Sequence, residues 1–223
     1  MEGFDLRSLA GPEGRLPVLI APLGPGVTVL VWFHGNGDRL GTDVAVARAA
    51  RAAGHGVVLA TYPGYPGAAG NPSRPRIRAA ADLVLAETFG RPVVLGCFSL
   101  GAAVAADLAV RRGAAGLALI SPPSSISAAA ARHFPVVPGL LVRRLLRDDW
   151  SAQADAARMP AGIPRLVALA DPDPVVPAPD SSAVAAALGV DPIVVPDGRH
   201  AGLVQHVAAP EAVAILGRAA GGR

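Results

Sequence analysis

Lysine is missing altogether: all twenty basic residues of this 223-residue chain are arginine, and the net charge is +3. With the excess of alanine, glycine and proline, this points to a GC-rich coding bias rather than to a basic binding surface. The densest arginine clusters, Arg74-Pro-Arg76-Ile-Arg78 and Arg143-Arg144-Leu-Leu-Arg147, are too short for a polybasic arm, so nucleic acid is not an expected partner. The single cysteine, Cys97, excludes an intrachain disulfide and gives no sign of secretion. Aromatic residues make up only 4% of the chain, which leaves the core to Ala, Val and Leu. No apolar run approaches the roughly eighteen residues of a membrane span. The opening residues carry early acids and no apolar segment of signal-peptide length. A cytoplasmic chain with no integral membrane segment is expected. No His/Cys/carboxylate cluster has metal-ligand spacing and no glycine-rich phosphate loop occurs, so neither metal nor cofactor is expected. Repeats and low-complexity linkers are absent too, and the length suits one domain with a sizeable core.

What is present centres on Cys97-Phe98-Ser99-Leu100-Gly101. The apolar run Val93-Val94-Leu95 leads into it, and Ala102 to Val110 reads as a helix beyond it. A serine between strand and helix, with small residues two positions either side, has the context of a nucleophile elbow. Such a turn strains the serine's backbone, so its shoulders must be small. Cys97 stands where glycine is more common, and is expected to be a buried structural thiol. A plain helix-capping serine is the competing reading of Ser99.

The flanking segments favour the first reading. Val27 to Phe33 is a buried-strand pattern opening into His34-Gly35-Asn36-Gly37, a glycine-rich turn whose backbone N–H groups can face an oxyanion. Pro164 to Ala170 reads as a strand ending in Asp171-Pro-Asp173, and Pro192 to Val195 as another leading to Pro196-Asp-Gly-Arg-His200. Ser, Asp and His in that order, each after a strand, is the chain order of the α/β-hydrolases. Strands alternating with helices predict a mainly parallel sheet with helices on both faces and an opening hairpin around Gly11-Pro-Glu-Gly14. Ligands of such sheets bind beyond the carboxyl ends of the strands, where His34, Ser99, both aspartates and His200 all fall.

The chain therefore resembles the α/β-hydrolases, and more narrowly a Bem46-type branch of serine hydrolases. The resemblance rests on His34-Gly-Asn-Gly37, Thr61-Tyr-Pro-Gly-Tyr65 through Ser73, the elbow, Ser121 to Ile126 with Ala131 to Pro135, and the acid and histidine loops. It implies an α/β fold of the α/β-hydrolase type and cleavage of a carboxylic ester or thioester through an acyl-enzyme. Ser99 is then the nucleophile, His200 the base and Asp173 the acid, with Asp171 as the alternative acid. The oxyanion is expected on the backbone N–H groups of Asn36 and Leu100. His34, Gly35 and Phe134 are expected against a small-molecule ester or acyl substrate. An amidase or peptidase, or a non-catalytic binding protein on the same fold, are the alternatives.

Residues 122–159 interrupt the alternation and read as a short cap-like insertion within a single 1–223 domain. Phe134, Val136, Val137, Leu140, Leu141 and Trp150 are its apolar load, expected either in the core or over an acyl pocket, with Arg143, Arg144 and Arg147 outward. Thr42 or Asp43, and Ser73, are expected to cap helices.

Overall fold

A computed structural model describes residues 3–11, 13–21, 24–133, 149–205 and 209–221. The chain opens with the hairpin β1 (Asp5–Gly11) and β2 (Gly14–Ala21). Then come β3 (Val29–Phe33), α1 (Val44–Ala52), β4 (Gly56–Ala60), α2 (Arg74–Ala86), β5 (Val93–Phe98), α3 (Gly101–Arg112) and β6 (Gly116–Ile120). After β6 follow α4 (Ile126–His133), α5 (Ala152–Ala156), β7 (Arg165–Asp171), α6 (Ala178–Leu188), β8 (Ile193–Pro196) and α7 (Ala209–Gly221).

The eight strands form one sheet in the order β1-β2-β4-β3-β5-β6-β7-β8. Strands β3 to β8 run parallel, and the β1–β2 hairpin joins β4 antiparallel. The central strands are apolar on both faces because both faces are covered. Val29, Val31 and Phe33 of β3 pack on the side of α2, α3, α5 and α6. Leu30 and Trp32 point the other way, toward α1 and α7. From β3 the chain steps outward to β4, then crosses back over β3 to β5. The order thus reverses between β3 and β5, and such a switch point opens a crevice at the strands' carboxyl ends.

Two capping expectations are corrected. Asp43 holds the N-cap position of α1 but makes no capping bond. Its Oδ2 accepts instead from the indole Nε1–H of Trp32 at 2.6 Å, and the residue is buried. Burial, reinforced by the charge of Asp38, outweighs that bond and raises the carboxyl to about 6. Ser73 likewise sits at the start of α2 without a side-chain cap. A capping residue did appear at Ser151, whose Oγ accepts from Ala154 N–H.

The two described ends of the 122–159 segment are pinned together. Ser127 gives both its N–H and its hydroxyl to the Asp149 carboxylate, at 3.0 and 2.9 Å. Ile126 N–H donates to the Trp150 carbonyl, and Gln153 N–H to that of Ser124. Trp150, one of the six apolar residues singled out above, is buried in the core cluster beneath the guanidiniums of Arg74 and Arg78 and also lines a recess between α2 and α3. Phe134, Val136, Val137, Leu140, Leu141, Arg143, Arg144 and Arg147 lie outside the described residues.

Candidate active site

Strand β5 is buried along its whole length and delivers Ser99 just past its carboxyl end. Ser99 adopts φ of +50°, the left-handed region that costs a non-glycine residue of order 1–3 kcal/mol. The turn is held by Ser99 N–H donating to the Ile120 carbonyl on β6 at 2.8 Å. Helix α3 then starts at Gly101, where a Cβ would press into the carbonyls of Phe33 and His34. The absent side chain lets the helix N-terminus close down on the end of β3. At the other shoulder, Cys97 faces the core and is fully buried, and burial pushes its thiol well up. It is a packing residue.

Ser99 Oγ–H donates to His200 Nε2 at 3.1 Å, across 101 positions of sequence. His200 Nδ1–H donates to Asp173 Oδ2 at 2.7 Å. His200 opens a single 3-10 turn (His200–Gly202) after β8, with its ring 4.7 Å from that of Phe98. Asp173 is buried in the turn after β7. Burial alone would raise its carboxyl, but the His200 bond and the N–H groups of Val176 and Val175 at 2.9 and 2.8 Å outweigh it. Its pKa lies below the ordinary range, so the group is a carboxylate at neutral pH. Asp171 is exposed at the end of β7.

The turn after β3 is built in layers. Asp38 Oδ2 accepts from Gly35 N–H at 3.0 Å. Tyr62 donates its hydroxyl to the His34 carbonyl at 2.7 Å, and Tyr65 donates to Asn36 Oδ1 at 2.9 Å. His34 itself is buried; Nδ1–H donates to the Gly35 carbonyl at 2.8 Å and Nε2 accepts from Thr61 Oγ1 at 3.3 Å. Burial holds its pKa down, so the ring is neutral. Expected against substrate, His34 instead occupies the back of the turn, with both ring nitrogens engaged by the protein. Gly35 is equally confined, since a Cβ there would meet the Phe98 ring at 2.9 Å. Asn36 and Leu100 face the cleft over Ser99. Phe134 lies outside the described residues.

With that arrangement in view, likeness to solved structures is informative. The chain superposes on the Pyrococcus furiosus esterase Pf2001 with a TM-score of 0.75, 14% identity, and coverage of 98% of this chain and 93% of that one. On XC6422 from Xanthomonas campestris, described as an α/β serine hydrolase without lid, the TM-score is 0.63 at 21% identity, covering 98% and 94%. The fold is that of the α/β hydrolases.

No family model matches the chain. The uncharacterized protein Rv2307c of Mycobacterium tuberculosis is 37% identical over 171 residues, which are 74% of this chain. The chain spans 58% of the length of that relative.

In this α/β-hydrolase fold, Asp173 has a further polar partner that no local pattern reveals. Ser121 follows β6 as Ser99 follows β5, also at positive φ (+46°), and its Oγ–H donates to Asp173 Oδ2 at 3.0 Å. With it, Asp173 accepts four hydrogen bonds and its orientation is fully specified. The signal was a serine closing the apolar run Gly116 to Ile120; nothing local says which acid it serves. Tyr65, whose hydroxyl donates to Asn36 Oδ1, holds that side chain in the turn.

The cleft over Ser99 has a volume of about 640 Å³ and is walled by Phe98, Leu100, Ile126, Val175, Val176 and His200. Among the described residues no helix is long and apolar enough to cross a membrane.

Proposed function

We propose that this chain is a serine hydrolase that cleaves a carboxylic ester or thioester through an acyl-enzyme on Ser99. The observation that carries the reading is the continuous relay from Ser99 Oγ through His200 to Asp173, at 3.1 and 2.7 Å. A hydroxyl becomes a competent nucleophile when a base takes its proton as it attacks. His200 Nε2 lies at hydrogen-bond distance for that task. Asp173 holds Nδ1–H, which keeps Nε2 free to accept and stabilises the imidazolium that forms.

In the first half-reaction the Ser99 oxygen bonds to the acyl carbon and its proton passes to His200 Nε2. The oxyanion meets the N–H groups of Leu100, at the N-terminus of α3, and Asn36. Gly35 N–H is engaged by Asp38 and so is not free for this role. His200 then protonates the departing oxygen or sulfur. Water attacks the ester on Ser99 with His200 again as base, releasing the acid and restoring the hydroxyl. Aligned donors of this kind are typically worth ~10²–10³ in kcat each.

The motifs from His34 to His200 support placing the chain in the Bem46-type branch. We also read residues 1–223 as one domain, with 122–159 as a cap-like insertion and a small-molecule substrate reaching a cytoplasmic enzyme. The test is labelling by a fluorophosphonate probe together with hydrolysis of short p-nitrophenyl esters. Wild-type chain should label and turn over, and Ser99→Ala should lose both while keeping the wild-type thermal transition. Undiminished turnover by a folded Ser99→Ala variant would end the proposal.

A further inference from the structure

Beside the cleft lies a second, more apolar recess of about 330 Å³, walled by Tyr65, Ile77, Ala103, Val104, Ile126 and Trp150. It lies between α2 and α3 and shares Leu100 with the cleft, whereas His200 does not line it. Leu100 and Ile126 line both spaces, so the recess adjoins the cleft beside the residue assigned an oxyanion donor. His200, Val175 and Val176 line only the cleft.

That asymmetry assigns the two halves of a substrate. At a carbonyl attacked by Ser99, one substituent is the acyl chain and the other is the leaving group. The leaving oxygen or sulfur must reach His200 Nε2 to collect its proton. The leaving group therefore lies on the His200 side, and the acyl chain extends the other way, past Leu100. We infer that the recess is the acyl-binding subsite, and that it selects unbranched acyl chains of medium length. This rests on Ser99 being the nucleophile.

The walls suit that occupant. Ala103 sits one turn into α3 from the elbow, and its small side chain leaves room along that wall. Ile77, Val104 and Ile126 offer aliphatic surface. Trp150 forms a fixed wall, because Arg74 and Arg78 lie over its ring, at 5.3 and 5.9 Å from its centroid, and both pair with buried Asp107. An apolar cavity of about 150 Å³ accepts benzene, so a recess about twice that size suits a chain of roughly six to eight carbons. The subsite thus lies under α2, built largely from residues outside the 122–159 insertion.

The experiment measures kcat/KM for p-nitrophenyl esters from acetyl to dodecanoyl on the whole chain, with fluorophosphonate labelling in parallel. For wild type, kcat/KM should climb about fourfold per added methylene to hexanoyl or octanoyl and then fall. Ile77→Trp, at a half-buried wall position, should cut the octanoyl-to-acetyl ratio at least tenfold. Val104→Ala should move the optimum to longer chains. Ratios equal to wild type in both variants, in a chain that labels, overturn the subsite while leaving the serine reading intact. So does a collapse of the octanoyl-to-acetyl ratio in Val175→Trp rather than Ile77→Trp, because the two halves of the substrate would then be exchanged. A wild-type chain that neither labels nor hydrolyses any ester removes both readings together.

Discussion

Asp173 and Asp171 lie two positions apart after the same strand, and their surroundings separate them completely. Asp173 is buried and accepts from Ser121, Val175, Val176 and His200, whereas Asp171 is exposed on the end of β7. An amide at 173 would still occupy the space but favours the wrong histidine tautomer, for which the reference loss in kcat is about 10⁴. Asp173→Asn should therefore fall by several orders of magnitude, and Asp171→Asn by less than tenfold, in steady-state ester hydrolysis. The reverse ranking would refute the assignment. Ser121→Ala removes one of the four bonds and should cost less than Asp173→Asn, because the other three still orient the carboxylate. At this scale the candidate residues were readable from strand ends, with Asp173 ahead of Asp171, and the structure adds which of the two meets His200.

The β5–turn–α3 element depends on a side chain that is not there. On propensity alone, Gly101→Ala should strengthen the helix by up to about 1 kcal/mol. The added methyl, however, would sit 2.9 Å from the His34 carbonyl oxygen and nearer still to that of Phe33. Backbone cannot rotate away as a side chain can, and overpacking of this kind costs about 1–3 kcal/mol. The steric term wins. Gly101→Ala should lower the denaturant midpoint and, by displacing Leu100 N–H, the proposed oxyanion donor, reduce kcat with little change in KM. A variant as stable and active as wild type would show that α3 has more freedom than its packing indicates. Elsewhere among the elements, the pattern at Asp43 misled: a polar residue before a helix reads as a cap, yet Trp32 on the neighbouring strand claims its carboxylate. Tertiary partners eleven positions away override a local rule.

For the molecule as a whole, that carboxylate ties stability to pH. In the folded chain Asp43 titrates near 6, against 3.8 for an ordinary aspartate. Between those values the folded state holds a proton that the unfolded chain has released, so stability falls as pH rises from about 4 to about 6. A shift of this size corresponds to about 3 kcal/mol. Asp173 acts in the opposite sense and in another window. Its carboxyl is held below 3.8, so its contribution is complete above that pH and fades as pH drops through its lower folded value. Asp43→Asn keeps an acceptor for Trp32 and removes the titration. Urea unfolding of both proteins from pH 4 to 7 should show the variant gaining on wild type by up to about 3 kcal/mol. Parallel curves would refute the buried titration.

The sequence by itself determined the strands, since runs such as Val27 to Phe33 and Val93 to Leu95 have no stable place except a covered sheet. It also determined the order of Ser99, Asp173 and His200 along the chain. Only the tertiary structure decided the strand order that reverses between β3 and β5 and brings His34 and Ser99 to one crevice. It alone gave Asp173 the partner Ser121, 52 positions away, moved His34 behind its turn, and opened a recess between α2 and α3. The reason is one of range. Apolar periodicity and turn chemistry act over a few residues, whereas hydrogen-bond partners and cavity walls are set by which distant segments the folded core brings side by side.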